Sequence, residues 1–305
     1  MESFVRALTT FLLAASLIPA AALAKPKEPD APATIAARER QAPGGREAMV
    51  GLAQTEIEVS IDVGRVAAST GGDLIGALII SGMDDKRARL QDSATGRAEA
   101  AVAPLRDALQ GYNVDALALA ATKAALEKPD WFGLQTIAPT KDVSPGARRS
   151  FAANAATPQA AFVSYHYALS PDFTQIRVTA DIRIEHKAAP KGGVSPLFYR
   201  QTVTSVVQLA RRSYDHRENV ALWSADGGKL AKAALTAGFA EIERLIPYAL
   251  DLGPADIKAF TAKDREKGFG AGLYGPLVAR DADNPENLTI WTKDGLVHIR
   301  TLPVG

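Results

Sequence analysis

Cysteine is absent from all 305 residues. This excludes a disulfide framework, a thiolate metal site, a Cys nucleophile and the lipid-bearing Cys that anchors a lipoprotein behind its signal. Charge of one sign is lacking too. Thirty-five basic residues face 34 acidic ones, so the chain has no global electrostatic pull toward nucleic acid. Beyond the N-terminus there is no apolar run long enough to span a bilayer. Catalytic signatures are missing as well. No serine is followed three residues later by lysine, G-x-S-x-G does not occur, and Gly193-Val194-Ser195-Pro196-Leu197 breaks that pattern at its last position. No H-E-x-x-H or other local zinc spacing is found.

What is present begins at the N-terminus. Arg6 precedes an apolar stretch, Ala7 to Ala24, that ends in Ala22-Leu23-Ala24. A positive start, an apolar core and an A-x-A end are the three parts of a cleavable export signal, with the cut expected after Ala24. The expectation is therefore a signal peptide over 1–24 and a periplasmic mature chain with no integral membrane segment. Residues 25–50 are rich in Pro, Ala and charge, and read as a disordered spacer.

Folded structure is expected from residue 51, with a main domain over 51–252 and a C-terminal part over 253–305. Ile57, Val59, Ile61 and Val63 alternate with polar residues, as in a half-buried strand. Asp73 to Ser81 reads as a short buried helix. Helices are expected over about 98–110, with Pro104 inside, and about 114–128, with Asn113 as N-cap. A short strand near 134–138 and a long connection follow. Residues 161–186 hold two alternating runs around the turn Ser170-Pro171-Asp172-Phe173. Pairing Ser170 with Phe173 sets Tyr167 opposite Ile176 and Tyr165 opposite Val178, all on one apolar face. Leu197 to Leu209 is β-branched and reads as a strand. The strongest helix spans about 228–251, and a short polar one 254–267. Asp294-Gly295 signals a closing hairpin, in which Trp291 faces His298 beside Arg300. The fold class expected is α+β: a mostly antiparallel sheet covered by helices, with a β-rich C-terminal appendage ending in a hairpin. The order of strand, helices, strands and long helix is similar to small α/β modules of envelope-assembly proteins, a likeness of architecture with no matched motif.

GAGLYG, residues 270–275, matches the G-x-G-x-x-G spacing of dinucleotide-binding loops. Its neighbours oppose that reading, since a charged helical stretch precedes it and Pro276 with a strand start follows it. A glycine-rich turn into the last strands is the better reading, and no cofactor is expected. The four histidines, 166, 186, 216 and 298, show no ligand spacing, so no metal is expected. The candidate partner-binding residues are Trp291, His298 and Arg300, an aromatic and basic set on the terminal hairpin. The favoured function is a non-enzymatic envelope-assembly or binding module with a cell-envelope protein partner. An envelope hydrolase with a dispersed active site, or a soluble small-ligand carrier, is the alternative.

Overall fold

The computed structural model describes residues 31–60, 84–187 and 196–302, with backbone alone for 84–95. The signal stretch, the end of the strand expected through Val63 and the helix expected at 73–81 lie outside them. Residues Ala31–Gly305 form one compact unit. In chain order the elements are α1 (Ala37–Arg40), β1 (Arg46–Gly51), β2 (Glu58–Val59), α2 (Asp84–Leu109), α3 (Val114–Glu127), β3 (Leu134–Thr140), α4 (Pro145–Asn154), β4 (Gln159–Leu169), β5 (Gln175–His186), β6 (Leu197–Leu209), α5 (His216–Asp251), α6 (Pro254–Phe260), β7 (Lys267–Gly270), β8 (Leu273–Arg280), β9 (Leu288–Thr292) and β10 (Gly295–Leu302). The fold is α+β.

The strands form one mixed, mostly antiparallel sheet in the order β3-β1-β4-β5-β6-β10-β9-β8-β7, with β2 also beside β4. Its centre is the β4–β5–β6 meander, where alternation is cleanest. Val163, Tyr165 and Tyr167 of β4 share the core with Ile176, Val178, Ile182 and Ile184 of β5. Helices α2, α3 and α5 lie on this face and contribute Leu105, Leu126, Phe239 and Ile242 to the same core. Polar atoms entering it are partnered. The Tyr165 hydroxyl lies 2.8 Å from Thr122 Oγ1, and Trp223 donates its indole N–H to Phe173 O at 2.7 Å. Gly238 permits the close helix–sheet approach, since a Cβ there would come within 2.9 Å of Val178 Cγ2.

Among the described residues, the opposite face is covered at its two ends. Near β1 and β4, helix α4 packs Ala152 and Phe151 on Met49 and Phe162. Near β6, β10 and β9, the β7–β8 hairpin lies over Val206, Ile290, Val297 and Ile299. Between them lies a polar strip that includes Ser164, His166, Thr179 and Thr204.

Three expectations are corrected. Residues 31–50 of the expected disordered spacer are ordered instead: Ile35 is buried in the core, and β1 pairs in parallel with both β3 and β4. Arg46 makes this possible. Its guanidinium, almost fully buried, donates to the carbonyls of Trp131, Phe132 and Glu39 at 2.7, 2.9 and 2.5 Å. A strand flanked on both sides does not show simple alternation. Secondly, helix begins before the expected start near 228, at His216. Asp215 caps it by accepting from Arg217 N. Ala225 to Gly228 are non-helical, with φ of 51°, 64° and 77° at Asp226, Gly227 and Gly228, so α5 is two helical segments and the second of them is the helix expected over about 228–251. Thirdly, the β4–β5 register is two residues further along, with Tyr167 opposite Val178 and Tyr165 opposite Ala180. Asp172 Oδ1 accepts from the hydroxyls of Ser170 and Thr174 at 2.6 and 2.9 Å and holds a wider loop. A shift of two preserves which face each residue takes. The C-terminal strands are β-rich and end in a hairpin as expected, and they continue the sheet directly, β10 lying parallel to β6.

Candidate functional site

The terminal hairpin also pairs two residues away from the expected register. Thr292 pairs with Gly295 and Trp291 with Leu296, which leaves Lys293-Asp294 as the loop. Gly295 serves a different purpose from the one its sequence suggests. A Cβ there would lie 2.0 Å from Thr202 O, so glycine is required where β10 meets β6. The shift sets His298 opposite Thr289, so Trp291 and His298 are not cross-strand partners.

Trp291, His298 and Arg300 do share one face of the sheet, but it is the helix-covered face. The Trp291 ring lies 5.6 Å from the Phe260 ring of α6. His298 is 0% exposed, and Arg300 is half-buried. The expected open patch is thus corrected: strand alternation identifies a shared face and does not say what covers it.

Burial gives His298 a distinct environment. Its Nε2 lies 3.2 Å from both Asp281 oxygens, and its Nδ1 lies 3.7 Å from Glu241 Oε1 on α5. Arg244 holds Glu241 through Nε and Nη2 at 2.9 and 2.5 Å, and Asn287 donates to Asp281 Oδ2. Burial lowers the His298 pKa below the usual imidazole range, against the pull of Glu241 and then Asp281 in the other direction. With the proton on Nε2, Nδ1 is buried without a hydrogen-bond partner. The arrangement resembles half of a catalytic triad, yet each ring nitrogen faces a carboxylate. A general base must reach the proton of a nucleophile, and here neither nitrogen does so. The cluster ties α5 to the end of β8 and to β10.

The other histidines are dispersed. His166 pairs with Glu58 at 2.9 Å, His186 lies 3.4 Å from Glu39, and His216 packs edge-on against Phe173. Among the described residues no group of three His, Asp or Glu side chains could hold a metal ion. Two clefts among the described residues are of interest. One of about 450 Å³ lies between α6 and β8 beside Arg265 and Glu266, and one of about 270 Å³ lies between α3 and β3 beside Asp115 and Lys141. The paired carboxylate and cation at the second cleft, 2.8 Å apart, satisfy one another.

GAGLYG is the tip of the β7–β8 hairpin. Phe269 pairs with Tyr274 and Gly270 with Leu273, while Ala271 and Gly272 turn the chain with φ of 53° and 73°. Both values are positive, as a two-residue type I′ connection requires. No helix follows, so the glycines cradle nothing at a helix N-terminus. They allow the hairpin to lie against the sheet. A Cβ on Gly268 would meet Ile290 Cγ2 at 2.7 Å, one on Gly270 would meet Ile299 at 3.3 Å, and one on Gly275 would meet Trp291 O at 2.2 Å. The tip crosses to β5, where Gln175 Nε2 donates to Ala271 O. Glycines alternate with Ala271, Leu273 and Leu277 on the inward face, and the two aromatic rings face out: Phe269 is 70% exposed and Tyr274 65%.

These two rings are the surface residues that sequence reasoning did not single out. A signal was available, since Phe269 and Tyr274 are placed symmetrically about the turn 271–272 and glycine fills the alternate positions 268 and 270.

No family model and no curated protein matches the chain. Among solved structures it is similar to the hypothetical protein CT253 from Chlamydia trachomatis, over 67% of this chain and 93% of that one, at 10% identity and a TM-score of 0.26.

Proposed function

We propose that this chain is an exported, non-enzymatic binding module of the cell envelope that engages another envelope component through the outer surface of its β7–β8 hairpin. The observation that carries this reading is the inverted hairpin. Its glycines are packed against the sheet, and Phe269 and Tyr274 are presented to solvent. Exposed aromatic side chains grouped on one rigid element are the usual anchors of recognition. The export reading rests on Arg6, the apolar stretch after it and Ala22-Leu23-Ala24.

The test is site-specific photocrosslinking in living cells, with a photoreactive phenylalanine at position 269 or 274 and a control at exposed Tyr248. Adducts to envelope lipid or protein formed from the hairpin positions and not from position 248 are expected. Equal labelling at all three positions would remove the support for this reading.

A further inference from the structure

The aromatic hairpin does not stand alone. Among the described residues, the strongly exposed large hydrophobic side chains are Tyr214, Tyr248, Phe269 and Tyr274. Three of these four gather toward one end of the sheet. The hairpin tip is bonded to Gln175 at the start of β5, and Gln175 pairs with Gln208 near the end of β6. The chain then leaves β6 through Arg211 and Arg212 to Tyr214, which is 105% exposed, and Arg217 follows in the first turn of α5.

Arg211, Arg212 and Arg217 are all exposed, and none has an ion-pair partner among the described residues. Some surface cations elsewhere are engaged, as in Lys128–Glu243, Lys141–Asp115 and Arg280–Glu266, while single ones such as Arg149, Lys229 and Lys263 are exposed without an ion pair among the described residues; the 211–217 loop differs in grouping three guanidinium groups within seven residues. Two carboxylates lie in the same loop. Asp215 is used as the N-cap of α5, and Glu218 is exposed beside Arg217. With 35 basic and 34 acidic residues overall, any attraction to an anionic partner must be local, and this loop supplies it.

Shape selects the partner. The rings sit on a projecting loop and on the back of a hairpin, and neither cleft is lined by them. Such projections suit a flat surface better than an inserted segment. Phe and Tyr rings favour the boundary between headgroups and acyl chains, and guanidinium groups pair with lipid phosphates at that depth. We infer that this end of the molecule, formed by Tyr214, Phe269 and Tyr274 with Arg211, Arg212 and Arg217, docks on the surface of a bilayer containing anionic phospholipid. This rests on the binding-module reading above and names its partner.

The experiment uses the chain without residues 1–24, which leaves the compact unit Ala31–Gly305 whole. It is sedimented with phosphatidylcholine vesicles that do or do not contain phosphatidylglycerol. Binding only to the anionic vesicles, weakened by salt, is expected. The triple variant Arg211→Gln/Arg212→Gln/Arg217→Gln should lose about a hundredfold in partition, at about fivefold per arginine. The double variant Phe269→Ser/Tyr274→Ser should lose the residual binding, and circular dichroism should show both variants folded. Equal binding to both vesicle types overturns the inference, as does unchanged binding in both variants. No vesicle binding together with protein adducts from position 269 in cells overturns the membrane partner and leaves the binding module standing. No vesicle binding and no adducts overturns both.

Discussion

The two hairpins β4–β5 and β7–β8 are built on opposite principles. The first turns its large side chains inward: Tyr165, Tyr167, Ile176, Val178 and Ile182 are buried under α3 and α5, and Ser164, His166 and Thr179 face the open side. The second turns glycine inward and Phe269 and Tyr274 outward. Both satisfy strand alternation, and both are pinned at the turn, one by Asp172 and the other by positive φ at Ala271 and Gly272. The difference lies in where each places its large side chains. The β4–β5 pair holds the molecule together by burying apolar area. The β7–β8 pair lies close to the sheet because glycine alternates on its inner face with Ala271, Leu273 and Leu277, which pack on the sheet, and its two aromatic rings are left in water, where they contribute little to folding.

The comparison can be broken at its strongest point. Ile182 is completely buried at the centre of the sheet. Ile182→Ala should cost about 2–5 kcal/mol, from lost transfer energy together with the cavity left beneath the helices. Denaturant titration measures it, and a loss below about 1 kcal/mol would show that the β4–β5 face is not the principal core.

The inner face of β7–β8 should be sensitive for the opposite reason. At Gly275 even a methyl group meets the Trp291 carbonyl at 2.2 Å, a backbone atom that cannot rotate aside. Gly275→Ala is expected to cost about 1–3 kcal/mol through overpacking and to loosen the hairpin. Hydrogen exchange should then show faster opening of β7 and β8, with β4 and β5 unchanged. A uniform change across both hairpins would mean that they do not respond separately.

The His298 cluster, which joins the C-terminal strands to α5, offers a smaller and pH-dependent effect. Burial holds this imidazole below its usual range. The unfolded chain therefore binds the proton more tightly than the folded one. The His298 contribution is complete above the unfolded pKa of about 6.5 and is lost as pH falls through the window between that value and the lower folded one. Facing groups are Glu241 and Arg244 on α5 and Asp281 after β8. His298→Gln should flatten the acid limb of a melting-temperature profile below about pH 6.5. An unchanged limb would assign the acid sensitivity to other groups.

Much of this architecture is legible in the residues. Strand β6 spans Leu197–Leu209 as its β-branched run indicates, and Asn113 caps α3 by accepting from Ala116 N. The sharing of faces along β4, β5, β9 and β10 is also readable, because a register error of two leaves faces intact. The registers themselves are not readable from turn residues alone. Asp172 widens one loop through side-chain hydrogen bonds, and Gly295 answers to a neighbouring strand that lies 93 positions away in sequence. The same limit hid β1, where Arg46 is polar in sequence and buried in space because three carbonyls receive it. The candidate site was misplaced for a related reason. Periodicity ranks Trp291 and His298 together correctly but cannot show that α5 and α6 cover them, and it assumes that large apolar residues face inward, which β7–β8 reverses.

That reversal yields the smallest expected effect and the sharpest contrast. Phe269→Ala and Tyr274→Ala remove two of the largest side chains on the hairpin, residues that in β4–β5 would be core. Both rings already stand in solvent, so truncation creates no cavity and leaves no buried polar group unpaired. Their cross-strand contact contributes at most a few tenths of a kcal/mol at an exposed site. Each variant should therefore unfold within about 0.5 kcal/mol of the parent. A loss of about 2 kcal/mol or more, comparable with Ile182→Ala, would show that the rings pack on the fold after all. A stability unchanged in both variants, set beside a large loss at Ile182, would separate a hairpin whose large side chains hold the molecule together from one whose rings contribute nothing to the fold.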